Sequence, residues 1–530
     1  MGILSKAKKL PIHPFLFAVS PILFFFSYNK TELSILDRDF LIALALSLSL
    51  SFLVWMVLKL IIKSGEKAAI ITSLSIVLFF TYGHIESLLT DFLPKQLTDF
   101  GPDKIMFSAW GIIFLAGSYL VIKTKKEMRK LGAFLTIVAA SSILLSLVNI
   151  IPYEITNALA NRQVKDGGTN PQEEIVTHDQ KDTSKLPDIY YLIFDRYGNK
   201  TSLKNYLNFD NSEFLNYLDG QGFFVANESF ANYPRTFNSL ASSLNMEYLD
   251  QLTKQYGEEY SSVTPLYNMI ENNRVVQFLK GIGYEYVHIS SWYPATKRNK
   301  NADVAFNYQT GIQSNFLEKL IEDTMLEPIL NKFFREDASR ESSRRGTLYE
   351  FARLSDAVSI KGPKFVFAHF LIPHDPYVLD QDGNPITQEQ VDKIGTKAAY
   401  VNQLIFVNKK IKELIQEIKD TSENPPVIVI QSDEGPFTAE WSKSAGPEDL
   451  RQISDAGLKN HIRIFNTYYL PKVDTDKVLY PGITPVNTFR TIFNLYLGTN
   501  LKILKDRAYI FQDDKHLFKF IDVTDKVNFD

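Results

Sequence analysis

The chain has 530 residues, a net charge of −3 and a sequence pI near 6.3, and this charge balance argues against a nucleic-acid-binding surface. It contains no Cys, which excludes disulfides and thiolate metal sites. The mean hydropathy is −0.09, but most long apolar runs precede residue 153, so this average combines two different parts of the chain.

Five apolar stretches near the N-terminus are each close to the ~20 residues that a helix needs to cross a membrane. They span residues 12–28, 40–62, 68–90, 105–122 and 132–152. We therefore predict a transmembrane region of about five helices over residues 1–155. Lysines precede the first stretch, as in a signal peptide, but no small-residue cleavage site follows it, so we interpret it as a retained helix.

The third stretch is the weakest of the five, because His84 and Glu86 fall in its second half. Ionisable residues deep in a membrane are functional by default. Near a helix end, however, they reach the interface at little cost. Both interpretations of this pair stay open.

The basic residues predict the orientation of the helices. They cluster before the first stretch, after the second and after the fourth, at Lys6, Lys8, Lys9, Lys63, Lys67, Lys123, Lys125, Lys126, Arg129 and Lys130. With five spans these segments share one side, which the positive-inside rule assigns to the cytoplasm. The N-terminus is then cytoplasmic, and the chain after the fifth stretch lies outside the cytoplasm.

A polar segment without periodicity, residues 156–185, is predicted to be a linker. After it, short apolar runs predict buried strands at 188–194, 284–289, 364–370 and 427–431. Helical patterns lie between them at 264–281, 313–334 and 398–419. This alternation predicts an α/β domain over residues 186–530, with a mostly parallel central sheet and flanking helices.

Acidic and imidazole side chains follow the predicted strands. Asp195 follows the first strand, Asp433 and Glu434 follow the last, and His369 and His374 follow the third. Ligands bind beyond the carboxyl ends of the strands in such sheets, so these groups can meet as a metal site. The alternative is that the acidic residues only begin loops or cap helices.

Several motifs resemble those of the alkaline phosphatase/sulfatase superfamily, over about residues 186–500. Pro187–Gly198 looks like its first metal-binding strand, and Ser432–Gly435 looks like its Ser-Asp-His-Gly motif. Asn232–Asn245 resembles the nucleophile segment of the membrane-bound branch, and Leu479–Arg490 is similar to bacterial sulfatase-like membrane proteins. The predicted architecture is similar to that of lipoteichoic acid synthases and phosphoethanolamine transferases.

The resemblance implies roles for individual residues. Thr236 takes the place of the nucleophile, and Asp195, Asp433, Glu434 and the Thr236 oxygen take the places of the metal ligands. His374 looks like the histidine on the substrate side. Glu434 departs from the family pattern, which has His there. A carboxylate favours Mg²⁺, Mn²⁺ or Ca²⁺ over Zn²⁺, or else the departure marks a weakened site.

Other residues near these motifs have weaker patterns. Arg235 adjoins Thr236 and can pair with phosphate, although a solvated loop arginine is the simpler interpretation. His369 is assigned to substrate binding or to buried structure. Thr236 can instead be a helix N-cap, in which case Ser239 is the alternative hydroxyl. His461 precedes a strand-like run and is a weak candidate for the site.

The leading hypothesis is a membrane-bound transferase that depends on one divalent metal ion and moves a phospho-substituent outside the cytoplasm. Its donor is expected to be a membrane lipid and its acceptor an envelope glycan or lipid, through a phospho-threonine intermediate. Two rival hypotheses are a phosphodiesterase or phosphatase, and a sulfatase-like assembly or binding protein without catalysis. The chain has neither a Cys nor a Ser-x-Pro-Ser-Arg motif, which argues against a formylglycine sulfatase.

Overall fold

Five consecutive helices begin the chain in the computed structural model, which describes residues 11–29, 38–92, 102–166, 186–308, 315–330, 336–441 and 449–528. They are α1 (His13–Asn29), α2 (Arg38–Ile62), α3 (Gly65–Phe92), α4 (Pro102–Lys123) and α5 (Arg129–Asp166). The chain divides into two units. The helical unit contains residues 1–167 and 310–336, and the α/β unit contains residues 168–309 and 337–530.

Within the described residues, four helices are long and apolar enough to cross a membrane. The spans are Asp39–Ile62, Gly65–Glu86, Lys104–Lys123 and Arg129–Ile155. The third predicted stretch therefore qualifies, whereas His13–Tyr28 is a shorter apolar helix with Pro21 inside it. Large apolar side chains stay exposed along these helices, as in proteins whose solvent is lipid. The helical unit is a membrane anchor; five crossings remain a prediction.

The predicted linker has two parts in the structure. Residues 156–166 continue α5, and residues 167–185 lie outside the described residues. The boundaries of 155 and 185 stay predictions.

The described strands of the α/β unit form a seven-stranded sheet and a two-stranded sheet. The strands are β1 (Ile189–Phe194), β2 (Phe224–Val225), β3 (Glu285–Ile289), β4 (Val304–Phe306), β5 (Lys364–Phe370), β6 (Val427–Gln431), β7 (Asn466–Tyr469), β8 (Tyr509–Phe511) and β9 (Phe520–Asp522). The large sheet has the order β2-β7-β6-β1-β5-β3-β4, and β8 pairs with β9. All pairings in the large sheet are parallel except those of β7. The sheet is thus mixed, with one reversed strand in a parallel frame.

The helices before β5 are α6 (Lys200–Leu207), α7 (Ser212–Gly220), α8 (Thr236–Asn245), α9 (Asp250–Tyr256), α10 (Thr264–Glu271), α11 (Arg274–Gly281), α12 (Asn315–Glu322), α13 (Glu327–Leu330) and α14 (Glu336–Val358). Those after β5 are α15 (Gln388–Ile394), α16 (Thr396–Thr421), α17 (Asp455–Ile462), α18 (Thr475–Val478), α19 (Pro485–Tyr496) and α20 (Thr524–Val527). Short 3₁₀ turns occur at Pro294–Thr296, Ala439–Trp441 and Leu450–Gln452.

The central strands bury both faces, as their continuous apolar sequences predict. Tyr191 and Ile193 of β1 face a core that includes side chains of α8, α10, α11 and α19. Tyr190 and Leu192 face the opposite core, which includes side chains of α14 and α16. Successive residues of a strand point to opposite faces, so every odd-numbered residue of β1 lies on the α8 side.

The predicted helix at 264–281 is two helices. The first helix ends at Glu271, and Asn273 is the N-cap of the second. The side-chain oxygen of Asn273 accepts a hydrogen bond from the Val276 backbone N–H at 2.8 Å. Asparagine is among the preferred N-cap residues, and such a cap starts a new helix. The predicted helix at 398–419 is α16, slightly longer at both ends.

The described residues 315–330 group with the helical unit by their contacts, whereas the predicted extracytoplasmic domain over residues 186–530 includes them; that domain boundary stays a prediction. Phe316 of α12 is buried, and its ring packs edge-on against Phe25 at 5.3 Å and Phe40 at 5.8 Å. An amphipathic helix specifies that one face is covered but not by which partner.

The segment after α12 is hydrogen-bonded to the backbone of α3. Gly83 N–H donates to Asp323 O at 3.2 Å, and Met325 N–H donates to Phe79 O at 3.0 Å. The Asp323 carboxylate also lies 3.8 Å from His84 Nδ1. The sequence left the role of His84 open, and this contact gives it a polar partner within the anchor.

Candidate metal site and active site

Three side chains from adjacent strands converge at the carboxyl edge of the large sheet. In the sheet register, Ile193 is paired with both His369 and Gln431. Asp195 comes two residues after Ile193, and Asp433 comes two residues after Gln431. Side chains two residues apart on a strand point to the same face, so both aspartates lie on the same face as His369. One ligand atom from each of Asp195, His369 and Asp433 lies within 4.8 Å of the other two.

Four polar atoms of this cluster are buried and have no hydrogen-bond partner among the described residues. They are Asp195 Oδ1, both carboxylate oxygens of Asp433, and His369 Nε2. Burial, followed by repulsion from neighbouring carboxylates, raises the pKa of Asp195 well above its ordinary range and that of Asp433 to about 7. Buried charges are normally paired or bound to a metal. Two carboxylates and an imidazole are ligands that divalent cations accept, so the cluster fits such an ion.

His369 is oriented as a metal-binding histidine requires. Its Nδ1 lies 3.0 Å from Thr296 Oγ1, which leaves Nε2 directed at Asp433 Oδ2, 3.9 Å away. Burial, with smaller contributions from His374 and His288, lowers the pKa of His369 to about 3. The imidazole is therefore neutral at pH 7, the form that binds metals. A hydrogen bond to the second ring nitrogen commonly fixes such a ligand.

Thr236 is the first residue of α8 and is buried beside this cluster. Its hydroxyl approaches Asp433 closely enough to act against the rise in the pKa of that carboxyl. The N-cap position belongs to Arg235, so Thr236 is not the helix cap. Free N–H groups at a helix N-terminus favour bound anions such as phosphate. A hydroxyl at this position can face both the acidic cluster and a phosphoryl group.

A buried polar layer holds α8 against the sheet below Thr236. The Tyr191 hydroxyl lies 2.7 Å from Gln431 Oε1 and 3.3 Å from Ser243 Oγ of α8. Gln431 Nε2 donates to Asn466 Oδ1 at 2.9 Å and to Thr488 Oγ1 at 3.2 Å. Buried networks of this kind fix one arrangement, because each unpaired group would be costly.

Glu434 lies between the cluster and the side chains of Arg196 and His461. Its Oε1 accepts a hydrogen bond from Arg196 Nε at 3.2 Å, and its Oε2 lies 3.6 Å from His461 Nε2. Burial acts to raise the pKa of Glu434, but His461 and Arg196 outweigh it and the pKa is lowered. Oε2 has no hydrogen-bond partner among the described residues, although Glu434 is not one of the three residues whose ligand atoms lie within 4.8 Å of one another.

Glycine is required after Glu434 because two backbone segments meet there. Gly435 N–H donates to His461 O at 2.5 Å. A Cβ on Gly435 would lie 2.7 Å from His461 O and 2.8 Å from Asn460 O, closer than real contacts allow. This contact brings α17, and with it the His461 ring, to the acidic site.

His374 lies beside Asp375, on the more exposed side of the site, which we call its mouth. Its side chain is 15% exposed, and its Nδ1 contacts Asp375 O and lies 3.4 Å from Asp375 Oδ1. Burial, and then the charge of Arg196, lowers the pKa of His374 to about 4. The exposed ring of Trp292 packs edge-on against it at 5.7 Å. A neutral imidazole at the mouth can accept or return a proton through Nε2.

Arg235 is half-buried beside Thr236. Its guanidinium carbon lies 5.9 Å from the ring centres of both Phe437 and Trp441. Sequence reasoning missed Arg196 and Thr296. Arg196 directly follows Asp195, which was a visible signal, but only the folded chain reveals that Thr296 contacts His369.

The parallel sheet, the acidic cluster at its carboxyl edge and Thr236 at a helix N-terminus define an alkaline-phosphatase-like α/β protein with a membrane anchor. A family model described as Sulfatase matches residues 197–480, more than half of the chain. The chain therefore belongs to the sulfatase family, within the alkaline phosphatase/sulfatase superfamily. No curated protein matches it.

Solved structures with a similar fold include the C-terminal periplasmic domain of EcEptC from Escherichia coli in complex with Zn. That comparison has 12% identity and a TM-score of 0.45, and it covers 67% of this chain and 96% of that one. The lipoteichoic acid synthase LtaP from Listeria monocytogenes has 13% identity, a TM-score of 0.37 and coverages of 66% and 81%. The lipooligosaccharide phosphoethanolamine transferase A (EptA) from Neisseria meningitidis has 12% identity, a TM-score of 0.35 and coverages of 91% and 95%.

The unpaired carboxylates predict a measurable metal content. We expect purified full-length protein to hold about one divalent ion per chain, as a cluster of three ligands can. Asp195→Asn and Asp433→Asn should each abolish binding, because each removes a charged ligand. Asp474→Asn, an exposed carboxylate in a surface pair, is the control and should keep the ion. Elemental analysis after dialysis checks this, and equal metal content in all four proteins would contradict it.

Proposed function

We propose that this protein is a membrane-anchored, metal-dependent transferase of a phosphoglycerol- or phosphoethanolamine-like substituent, from a lipid donor to an envelope glycan or lipid. The observation that carries the proposal is the Thr236 hydroxyl beside the buried Asp195–His369–Asp433 cluster. Membership of the sulfatase family and the membrane anchor support it. Outside the cytoplasm, where ATP is not available, a lipid is the accessible source of a phospho-group.

We assign the metal to Asp195, His369 and Asp433, with Thr236 and Glu434 as further oxygen ligands. When bound, a divalent cation lowers the pKa of a hydroxyl and offsets charge on phosphoryl oxygens. The positive N-terminus of α8 acts in the same direction on an incoming phosphate. Mg²⁺, Mn²⁺, Ca²⁺ and Zn²⁺ are all compatible with this mixed set of donors.

In the first step, Thr236 Oγ forms a bond to the donor phosphorus as the bond from phosphorus to the lipid alcohol breaks. The proton of Thr236 Oγ passes to His374 Nε2, which is free to take it because Nδ1 faces Asp375. His374 Nε2 then gives this proton to the departing alcohol oxygen, so His374 is neutral again and the charge balances. The product is a phospho-threonine that keeps the substituent.

In the second step, an acceptor hydroxyl attacks the same phosphorus and the bond to Thr236 Oγ breaks. His374 Nε2 takes the acceptor proton and gives it to Thr236 Oγ as that oxygen leaves. Its low pKa leaves His374 neutral and able to accept this proton. Arg235 is proposed to bind a phosphoryl oxygen during both steps.

Two other functions remain as rivals. If water replaces the acceptor in the second step, the enzyme is a phosphodiesterase or phosphatase. A sulfatase-like binding or assembly protein without catalysis would not need buried, unpaired carboxylates at the sheet edge. Each of them carries a desolvation penalty that destabilises the fold, and no bound metal would offset it. The cluster therefore favours an enzyme.

Removal of the Thr236 hydroxyl tests the proposed nucleophile. We expect Thr236→Ala to lower turnover by about 10³-fold or more, as loss of a nucleophile does in other enzymes. Thr236→Ser should retain part of the activity, and Ser239→Ala should leave it unchanged. The measurement follows headgroup-labelled phosphatidylglycerol and phosphatidylethanolamine in vesicles, with and without a glycan acceptor. Unchanged turnover in Thr236→Ala would eliminate the nucleophile, and labelled water-soluble headgroup without acceptor labelling would favour hydrolysis.

The proposed orientation has a separate test, which the absence of Cys makes simple. Lys515→Cys lies on the α/β unit and Glu127→Cys lies between α4 and α5, and both positions are exposed. An impermeant maleimide should label Lys515→Cys in right-side-out spheroplasts. It should label Glu127→Cys only after lysis, because the basic segments face the cytoplasm. The opposite labelling pattern would overturn the orientation.

A further inference from the structure

Arg196 has an unusual backbone conformation at the edge of the metal site. It directly follows Asp195, and its φ angle of 63° lies in the left-handed region that residues other than glycine rarely adopt. The Tyr400 hydroxyl donates a hydrogen bond to Arg196 O at 2.6 Å. Such conformations persist where the surrounding structure holds them, and they concentrate at functional sites. Here the conformation directs the side chain towards the mouth of the site.

The guanidinium of Arg196 is held by two carboxylates, but one of its nitrogens makes no hydrogen bond to a described residue. Nε donates to Glu434 Oε1 at 3.2 Å and Nη1 donates to Asp375 Oδ1 at 2.5 Å. The planar group also stacks on the Phe437 ring, 4.0 Å from its centre. Its Nη2 makes no hydrogen bond to any described residue. The side chain is 13% exposed, so it is not fully buried, and Nη2 is the nitrogen left for a ligand.

The charges around Arg196 require a cation on the substrate side. Asp195, Asp433 and Glu434 bring three buried carboxylates together, and Asp375 adds a fourth at the mouth. A divalent cation offsets two of these four charges, and Arg196 and Arg235 are the arginines near Glu434 that can offset the other two towards an anionic phosphodiester. Arg196 contacts both the buried Glu434 and the exposed Asp375, so it lies between the buried and the exposed side of the site.

We infer that Arg196 binds a non-bridging phosphoryl oxygen of the substrate through Nη2, with Glu434 and Asp375 holding the guanidinium in place. This inference rests on the proposed function for the identity of the reaction. It also gives Glu434 a second task, since the carboxylate that replaces the family histidine fixes the arginine. Guanidinium groups suit phosphate because they are always charged and donate in a fixed plane.

The test measures binding of inorganic phosphate to the full-length protein in detergent, loaded with the divalent ion that purifies with it. Arg196→Gln should weaken phosphate binding about tenfold or more, as loss of a charge-assisted hydrogen bond does. Arg196→Lys keeps the charge but not the planar fork, and it should fall between Gln and Arg. Both variants should keep their metal content. The control Arg451→Gln removes an exposed arginine paired with Asp449 and should bind phosphate normally.

Wild-type phosphate affinity in folded Arg196→Gln would overturn the inference. If a melting experiment shows that Arg196→Gln does not fold, Arg196→Lys is the deciding variant, because it leaves both Glu434 and Asp375 with a cationic neighbour. Wild-type phosphate affinity in Arg196→Lys would then overturn the inference. Loss of phosphate and metal together would also overturn it, because Arg196 would then support the metal site instead of binding substrate. Phosphate binding needs no turnover, so this outcome is separate from the Thr236 test of the proposed function.

Discussion

The burial of Asp195, Asp433 and Glu434 at one edge of the sheet is the constraint on which the rest of the site depends. Like charges in a low-dielectric interior repel, and each buried ion carries a desolvation penalty of several kcal/mol. Arg196 and His461 pair with Glu434, and the charge of Arg196 also acts against the rise in the pKa of Asp195 without outweighing burial. The two aspartates have no such partner among the described residues, and the neutral His369 beside them is already in the metal-binding form. A cation at this position accounts for all of these features.

The sheet makes this arrangement possible by its register. Three parallel strands end side by side, so one face collects Asp195, His369 and Asp433 with no long loop between them. The same face carries α8, which the Tyr191–Gln431 layer holds in position. Thr236 thereby lies beside the cluster at the start of a helix that is held in place, and such support is what accurate positioning of the proposed nucleophile requires.

Much of this was predictable from sequence. Strands β5 and β6 have their predicted bounds because their apolar runs are continuous, and the motifs around Asp195 and Asp433 correctly indicated the superfamily. The sequence placed His369 among the groups that can meet at the sheet edge but assigned it to substrate binding or to buried structure. Its closeness to both aspartates depends on which strands are neighbours, and that order is not visible in the sequence. The packing of α12 in the helical unit was missed for a similar reason: its apolar face predicts that it is buried but does not predict which helices cover it. The two-helix form of 264–281 depends on Asn273 as a cap, which helical periodicity does not reveal.

The most direct test of the proposed mechanism is to trap its covalent intermediate. Full-length protein would be incubated with its divalent ion and a phospholipid donor in vesicles, without acceptor, then quenched in acid, digested and analysed by peptide mass spectrometry. The mechanism predicts the mass of the phospho-substituent on Thr236, absent from Thr236→Ala and absent when the ion is removed by chelation. Lipid turnover with no adduct on Thr236, or an adduct on another residue, would contradict it.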